Sequence, residues 1–306
     1  MRALSKVALT ALGAGAATAA WATTVGAHDF TVRYTTARAL APGSNPIRVL
    51  HLSDIHLAPW QHRKIEWLET LADLNPDLVV NTGDNVGHND VLPQLRRALS
   101  PLAGVPGVYV HGSNDHMAPT PRNPLKYFMG PSKSNKEPTL LNVDQMDAFF
   151  TDELGWHAID NDALTLQLAG NRIDFLGLGD AHRGWDEADK LEAARGKLKK
   201  PTSKTSTIGV THAPYAAPLN VFAKDGADVL FAGHTHGGQI CLPGGRALVT
   251  NCDLPVEQAR GLSNWDADGR TIPLHVSGGI GTSIYAPARL FCAPEATVIT
   301  LLPRLP

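Results

Sequence analysis

Cysteine is scarce in this 306-residue chain: Cys241, Cys252 and Cys292 are its three, and no Cys-x-x-Cys pair exists. That spacing excludes a disulfide scaffold and a cysteine zinc site, leaving three free thiols or one bridge from Cys241 to Cys252 in an exported domain. Blocks rich in lysine and arginine are also missing, and the formal net charge is -2. Nucleic acid is therefore not an expected partner, and any attraction for an anionic substrate must be local. No internal repeat occurs, and the amino-terminal segment carries no twin-arginine pair.

One stretch lacks charge altogether. Arg2 and Lys6 precede Val7 to Ala27, which would be roughly 31 Å long as a helix, about the thickness of a bilayer's hydrocarbon core. Its Ala, Gly and Thr content makes it a weak span and a fair secretory signal, with small-residue cleavage options such as Ala20-Trp21-Ala22. Residues 1–27 are expected to be a signal peptide or membrane anchor, which places the rest of the chain outside the cytoplasm. Residues 28–45 read as an edge strand, Phe30 to Tyr34, and a link, and residues 46–306 as the catalytic domain.

With 43% apolar residues the chain can bury a sizeable core. Apolar runs ending at Leu52, Asn81 and Val110 alternate with helical stretches around Ile65 to Ala72 and Leu92 to Leu102. That order predicts a parallel sheet with right-handed crossovers. A hairpin of Ala163 to Leu168 and Arg172 to Gly177, turning at Gly170-Asn171, predicts an antiparallel part. Further helices are expected over 143–154 and 187–199, and further strands at Ile208 to Thr211, Val229 to Ala232, Leu274 to Ser277 and Thr297 to Leu302. The irregular insert from Ala118 to Thr139 mixes Arg122, Lys126, Tyr127, Phe128, Lys133 and Lys136. It reads as a substrate-gripping cap, with Lys126 among its contacts, or as a solvated loop.

Five of the runs end in metal-ligand residue types: Asp54 and His56; Gly83-Asp84; Gly112-Ser113-Asn114-Asp115-His116; His212; and Gly233-His234-Thr235-His236. Carboxyl ends of strands are where open α/β sheets keep ligand sites. The oxygen and imidazole donors suit Mn, Fe or Zn. His51 and His111 lie inside strands and read as hydrogen-bonded structural residues; His88 is expected at the border of the site.

From Arg48 to Leu302 the chain resembles the calcineurin-like metallophosphoesterases, whose motifs follow in the same order: Asp-x-His, Gly-Asp, Gly-Asn-His, a lone His, and Gly-His-x-His. The resemblance implies an α/β (α+β) fold, a four-layer αββα sandwich of two mixed β-sheets flanked by helices, and a two-metal site. Asp54, His56, Asp84 and His236 would hold one divalent ion; Asp84 would bridge, and Asn114, His212 and His234 would complete the other. It further implies hydrolysis of a small-molecule phosphodiester or phosphomonoester by a metal-bridging hydroxide, while the amino-terminal segment and the basic, aromatic insert suggest a lipid-linked or cell-envelope substrate. With two aspartates and that hydroxide the centre keeps a charge of roughly +1, which attracts phosphate. Ser277 to Ser283, followed by Pro287-Ala288-Arg289, resembles the exported or membrane-associated bacterial phosphodiesterases; from its residues the glycine-rich turn reads either as a phosphate loop clamped by Arg289 or as a tight turn between two strands.

One departure stands out. Asp115 occupies the slot of the family's histidine, and His116 comes one residue later. The expectation is that Asp115 orients His116, or that His182 supplies the leaving-group proton, a contribution of about 10²–10⁴-fold. The alternative is a catalytically weak metal-binding protein that binds or senses phosphorylated ligands. A monomer is expected.

Overall fold

A computed structural model describes residues 2–120 and 139–305. Twelve strands follow in chain order: β1 (Thr31–Leu40), β2 (Ile47–Leu52), β3 (Leu78–Asn81), β4 (Gly107–Tyr109), β5 (Trp156–Ala158), β6 (Ala163–Leu168), β7 (Asn171–Leu178), β8 (Thr205–Thr211), β9 (Val229–Ala232), β10 (Gly261–Ala267), β11 (Arg270–Val276) and β12 (Glu295–Pro303). They form two six-stranded mixed sheets, ordered β1-β12-β2-β3-β4-β5 and β10-β11-β9-β8-β7-β6. In the first, β2 to β5 are parallel and β12 runs against β2; in the second, β7, β8, β9 and β11 are parallel.

The helices are α1 (Arg2–Thr24), α2 (His62–Glu69), α3 (Leu92–Leu99), α4 (Ser113–His116), α5 (Val143–Ala148), α6 (Ala188–Arg195) and α7 (Ala216–Lys224). Alternation along β2 sorts the layers. Ile47 and Val49 join the apolar cluster of Ile173, Phe175, Val210 and Phe231 between the sheets, whereas Leu50 and Leu52 pack with Ile65, Leu68, Leu95 and Leu99 of α2 and α3. On the far side Leu176, Leu230 and Leu274 meet Leu191, Leu219 and Phe222 of α6 and α7. The result is the four-layer sandwich: helices, sheet, sheet, helices. Strands buried on both faces read as continuous apolar runs, which is why β2, β3 and β9 are recognisable from sequence.

Some boundaries differ from expectation. β1 runs on to Leu40 and lies parallel to β12 at the sheet's edge, with Ala37, Ala39 and Leu40 buried. The hairpin turns at Ala169-Gly170, both in the left-handed region, one residue earlier than expected. Asn171 begins β7 because its side chain is committed elsewhere: it accepts from the Asn45 amide and donates to the Asn45 carbonyl.

α1 is exposed from Leu9 to Trp21, but its last turn is docked, with Ala22 buried and its carbonyl accepting from Arg289 N. Among the described residues no helix is long and apolar enough to cross a membrane.

Beside β4, His111 donates between Asp160 (2.7 Å) and Asp147 (2.8 Å), and Tyr109 also donates to Asp147. Burial opposes a charge on this ring, but the two carboxylates overcome it and hold the His111 pKa well above its usual value. Because the folded value is the raised one, the stabilisation is complete below about pH 6.5 and is lost as the pH climbs through the folded value. Melting curves of His111→Gln and the parent chain should therefore differ most at pH 6 and converge toward alkaline pH. A gap that widens on the alkaline side would contradict a charged His111.

Candidate metal centre

The strand ends converge. Asp54 and His56 follow β2, Asp84 follows β3, Asn114 sits in α4 after β4, His212 follows β8, and His234 and His236 follow β9. Asp54, His56, Asp84, His234 and His236 all have φ between 41° and 67°. Left-handed backbone in non-glycine residues costs free energy and clusters at functional sites, where surrounding packing enforces it. Glycines make the closeness feasible. A Cβ on Gly112 would stand 2.1 Å from Asp84 Oδ1, and one on Gly233 would stand 1.9 Å from Ser53 Oγ.

Asp84 is the hub. Its Oδ1 accepts from Asn114 N (2.8 Å); its Oδ2 accepts from Asn114 Nδ2 (2.6 Å) and lies 3.5 Å from His56 Nε2 and 3.6 Å from His212 Nε2. Asp54 Oδ2 accepts from Ser53 Oγ and His234 N, while its Oδ1 lies 3.4 Å from His236 Nε2. His56 Nε2 and His236 Nε2 face each other at 3.2 Å.

The ligand set fits divalent cations on three observations. Asp54 Oδ1 and His212 Nε2 are buried without a hydrogen-bond partner. Donor atoms of Asp54, His56 and His236, and separately of Asp54, Asp84 and His212, all lie within 4.8 Å of one another. The remaining ring nitrogens are held by carbonyls, His212 Nδ1 by Thr82 O (2.6 Å) and His236 Nδ1 by Gly281 O (3.1 Å), which fixes the tautomer with a lone pair on Nε2. His234 differs: its Nε2 lies 3.3 Å from Asn251 O, so Nδ1 is the atom left to ligate.

The titration pattern agrees. Burial pushes His56 and His234 down to about 4 and His236 to about 3, so all three imidazoles are neutral, the form a cation requires. His212 goes the other way. Burial opposes its charge, yet Asp84, Asp180 and Asp54 raise it to about 9, showing that these carboxylates call for a positive charge among them. His212, His56 and Asn114 hold Asp84 well below the usual carboxylate range despite its burial.

Several expected roles fall elsewhere. Asp115 does not orient His116. Its buried carboxylate accepts the N–H groups of Asn85 (2.7 Å), Asp84 (2.8 Å), Gly112 (3.0 Å) and Val86 (3.3 Å), tying the loop after β3 to the loop after β4. His116 sits between His111, tilted at 45°, and Trp185, met edge to face, with centroids 4.8 and 5.2 Å away. His182 is better placed, 4.6 Å from the His234 ring, with Nδ1 3.1 Å from Tyr215 OH.

Arg289 is no phosphate clamp. It is buried, and its Nη atoms donate to the carbonyls of Gly278 (2.8 Å), Gly279 (3.0 Å) and Gly281 (2.7 Å), and more weakly to those of His236 and Cys292. The glycine-rich turn wraps a guanidinium, and the N–H groups of Ile280 and Gly281 go to Ser53 O and Asp54 O. It braces the Asp54 loop. Lys126, with the rest of the insert from Arg122 to Lys136, lies outside the described residues. His88 meets Trp60 edge to face and accepts from Asp90 N.

Three supports went unrecognised in the sequence. Asp180 accepts from His182 N and Ser113 N, linking the His182 loop to α4; Gly179-Asp180 repeats the Gly83-Asp84 signal at a strand end. Lys64 is buried and donates to Ile55 O (2.9 Å), behind the first ligand pair. His275 meets His51 at 2.8 Å, and His51 reaches Thr82 Oγ1, whose own carbonyl holds His212.

Comparison with known proteins accords with this geometry. The family model described as calcineurin-like phosphoesterase matches residues 47–238. The chain is 27% identical over 290 residues to the uncharacterized metallophosphoesterase YkuE of Bacillus subtilis (strain 168), covering 89% of this chain and 85% of that one. It is 25% identical over 265 residues to the phosphodiesterase YaeI of Escherichia coli (strain K12), covering 84% and 83%. Among solved structures, TT1561 of Thermus thermophilus aligns over 77% of this chain and 90% of its own, at 11% identity and a TM-score of 0.43.

Proposed function

Since the chain belongs to the calcineurin-like phosphoesterase family, we propose that it hydrolyses a phosphodiester or phosphomonoester with two divalent cations, Mn, Fe or Zn, held at the converging strand ends. The observation that carries this is Asp84 Oδ2, 3.5 and 3.6 Å from ring nitrogens of two different strand-end loops and hydrogen-bonded to Asn114. Asp54, His56 and His236 would hold one ion, Asn114, His212 and His234 the other, with Asp84 between them. When bound, such a pair lowers the pKa of a shared water and neutralises the charge that develops on the phosphoryl oxygens.

The chain's own residues do the rest. A donor set of imidazoles, one amide and only two aspartates leaves the site able to attract an anion although the protein is slightly acidic. Asp54 is fixed by the His234 backbone N–H and Asn114 by its two hydrogen bonds to the Asp84 carboxylate, so little reorganisation accompanies substrate binding. Burial and His234 push the His182 pKa down to about 4, so near neutral pH its ring is uncharged and serves as a hydrogen-bonding group beside the leaving oxygen rather than as an acid, and its contact with Tyr215 orients it.

A lipid-linked or cell-envelope substrate is the finer reading. The charge-free run from Val7 to Ala27, and the exposed Leu9, Leu12, Trp21 and Val25 upon it, support an exported or membrane-attached enzyme.

The test is an assay of chelator-stripped protein, reloaded with Mn, Fe or Zn, on an activated diester and an activated monoester. Metal-dependent turnover of at least one is expected. Metal binding without turnover would favour a protein that binds phosphorylated ligands.

A further inference from the structure

Two thiols touch the loop of His234 and His236 without belonging to the ligand set. We propose that Cys241 and Cys292 are a disulfide-forming pair, a modification site that reacts with a small disulfide oxidant and covalently ties the His236-Gly237 loop to the segment after Arg289.

The backbone brings the two residues together. Ile240 and Leu290 form a parallel bridge, with Cys241 N donating to Leu290 O (2.9 Å) and Leu290 N to Gln239 O (3.1 Å). Both sulfurs then converge on one carbonyl, Gly237 O, at 3.2 Å from Cys241 Sγ and 3.5 Å from Cys292 Sγ. Both are buried. Cys292 Sγ also donates to His236 O (3.3 Å). Cys252, the partner that sequence spacing offered to Cys241, packs instead in the apolar cluster of Leu254 and Leu219.

Access and polarity favour reaction at Cys292. Its side chain lines a cavity of about 210 Å³ shared with Trp21, Arg33, Arg260 and Arg289. Arg260 Nη1 and Arg289 Nη1 each lie 3.6 Å from its sulfur, and cations beside a thiol favour the nucleophilic form.

The exchange balances without any further reagent. Cys292 sulfur attacks one sulfur of the oxidant, breaking its S–S bond, releasing one thiol and forming a mixed disulfide. Cys241 sulfur then attacks Cys292 sulfur and releases the second thiol. The chain loses two electrons and two protons, both taken up by the two released thiols. The thiol donations to His236 O and Gly237 O are exchanged for a covalent tie.

The full-length chain, folded, is incubated with oxidised glutathione, alkylated, digested without reductant and mapped by mass spectrometry. The expected result is one linked peptide containing Cys241 and Cys292, lost on reduction, with Cys252 alkylated; a Cys252→Ser chain should give the same peptide in the same yield. Alkylation of both Cys241 and Cys292 after oxidation, or a linkage that uses Cys252, would overturn the proposal.

Discussion

Asp84→Asn is expected to remove metal-dependent phosphoester hydrolysis while leaving the fold intact. Among the described residues, its Oδ2 is the one carboxylate oxygen that approaches ring nitrogens from both His56 and His212. An amide there loses the negative charge and, in one orientation, presents N–H₂ to the very nitrogens that must share a cation. Changing a residue that only orients a metal ligand typically costs ~10–100-fold; Asp84 lies at the centre, so kcat/KM should fall by more than about 100-fold. The fold should survive because an amide oxygen can still accept from Asn114 N, as Oδ1 does now. Steady-state kinetics at saturating metal, beside a thermal melt, check both halves. A well-folded variant with parental turnover would refute the hub role.

Asp115→Ala should produce the largest loss of stability. Four buried N–H groups, from Asp84, Asn85, Val86 and Gly112, would lose their acceptor at once. Each orphaned buried donor costs about 1–3 kcal/mol; even at the low end the total is about 4 kcal/mol. For a chain of this size that is a fall of roughly 6 °C or more in Tm. Burial and the nearby Asp84 charge push the Asp115 carboxyl up to about 6, against the pull of His111 and of its N–H donors, so Asp115→Asn, which keeps an acceptor, should be milder. Differential scanning calorimetry of both variants beside His116→Ala separates the roles. Were Asp115 an orienting partner of His116, Asp115→Ala would match His116→Ala in kinetics and keep its melting temperature.

Much of this arrangement was legible because parallel strands buried on both faces write apolar runs that stop abruptly at polar ligands. β2 ends before Ser53-Asp54, β3 before Gly83-Asp84 and β9 before Gly233-His234 for that reason. Less regular elements hid. β5 is three residues long with one buried side chain, Trp156. β10 is a polar edge strand, although the Asp268-Gly269 turn joining it to β11, with both residues in the left-handed region, was a hairpin signal. What could not be read was the direction of service between groups distant in sequence. A glycine-rich turn near an arginine suits a phosphate loop and a guanidinium cradle equally, and only the closure of β11 and β12 against the Asp54 loop sets Arg289 inside. Asp115 likewise occupies a catalytic slot in the linear pattern, but the β3 and β4 loops surround it with four donors. The pairing of Cys241 with Cys292 depends on the bridge between Ile240 and Leu290, which no local pattern announces.

Whether two cations share Asp84 is settled by counting metal. Chelator-stripped parent and Asp84→Asn chains would be equilibrated with manganese, dialysed and analysed for metal per chain, beside a melt that confirms folding. Two ions are expected in the parent and one or none in the variant. A folded parent that holds no more than one, or a variant that retains two as tightly, would contradict it.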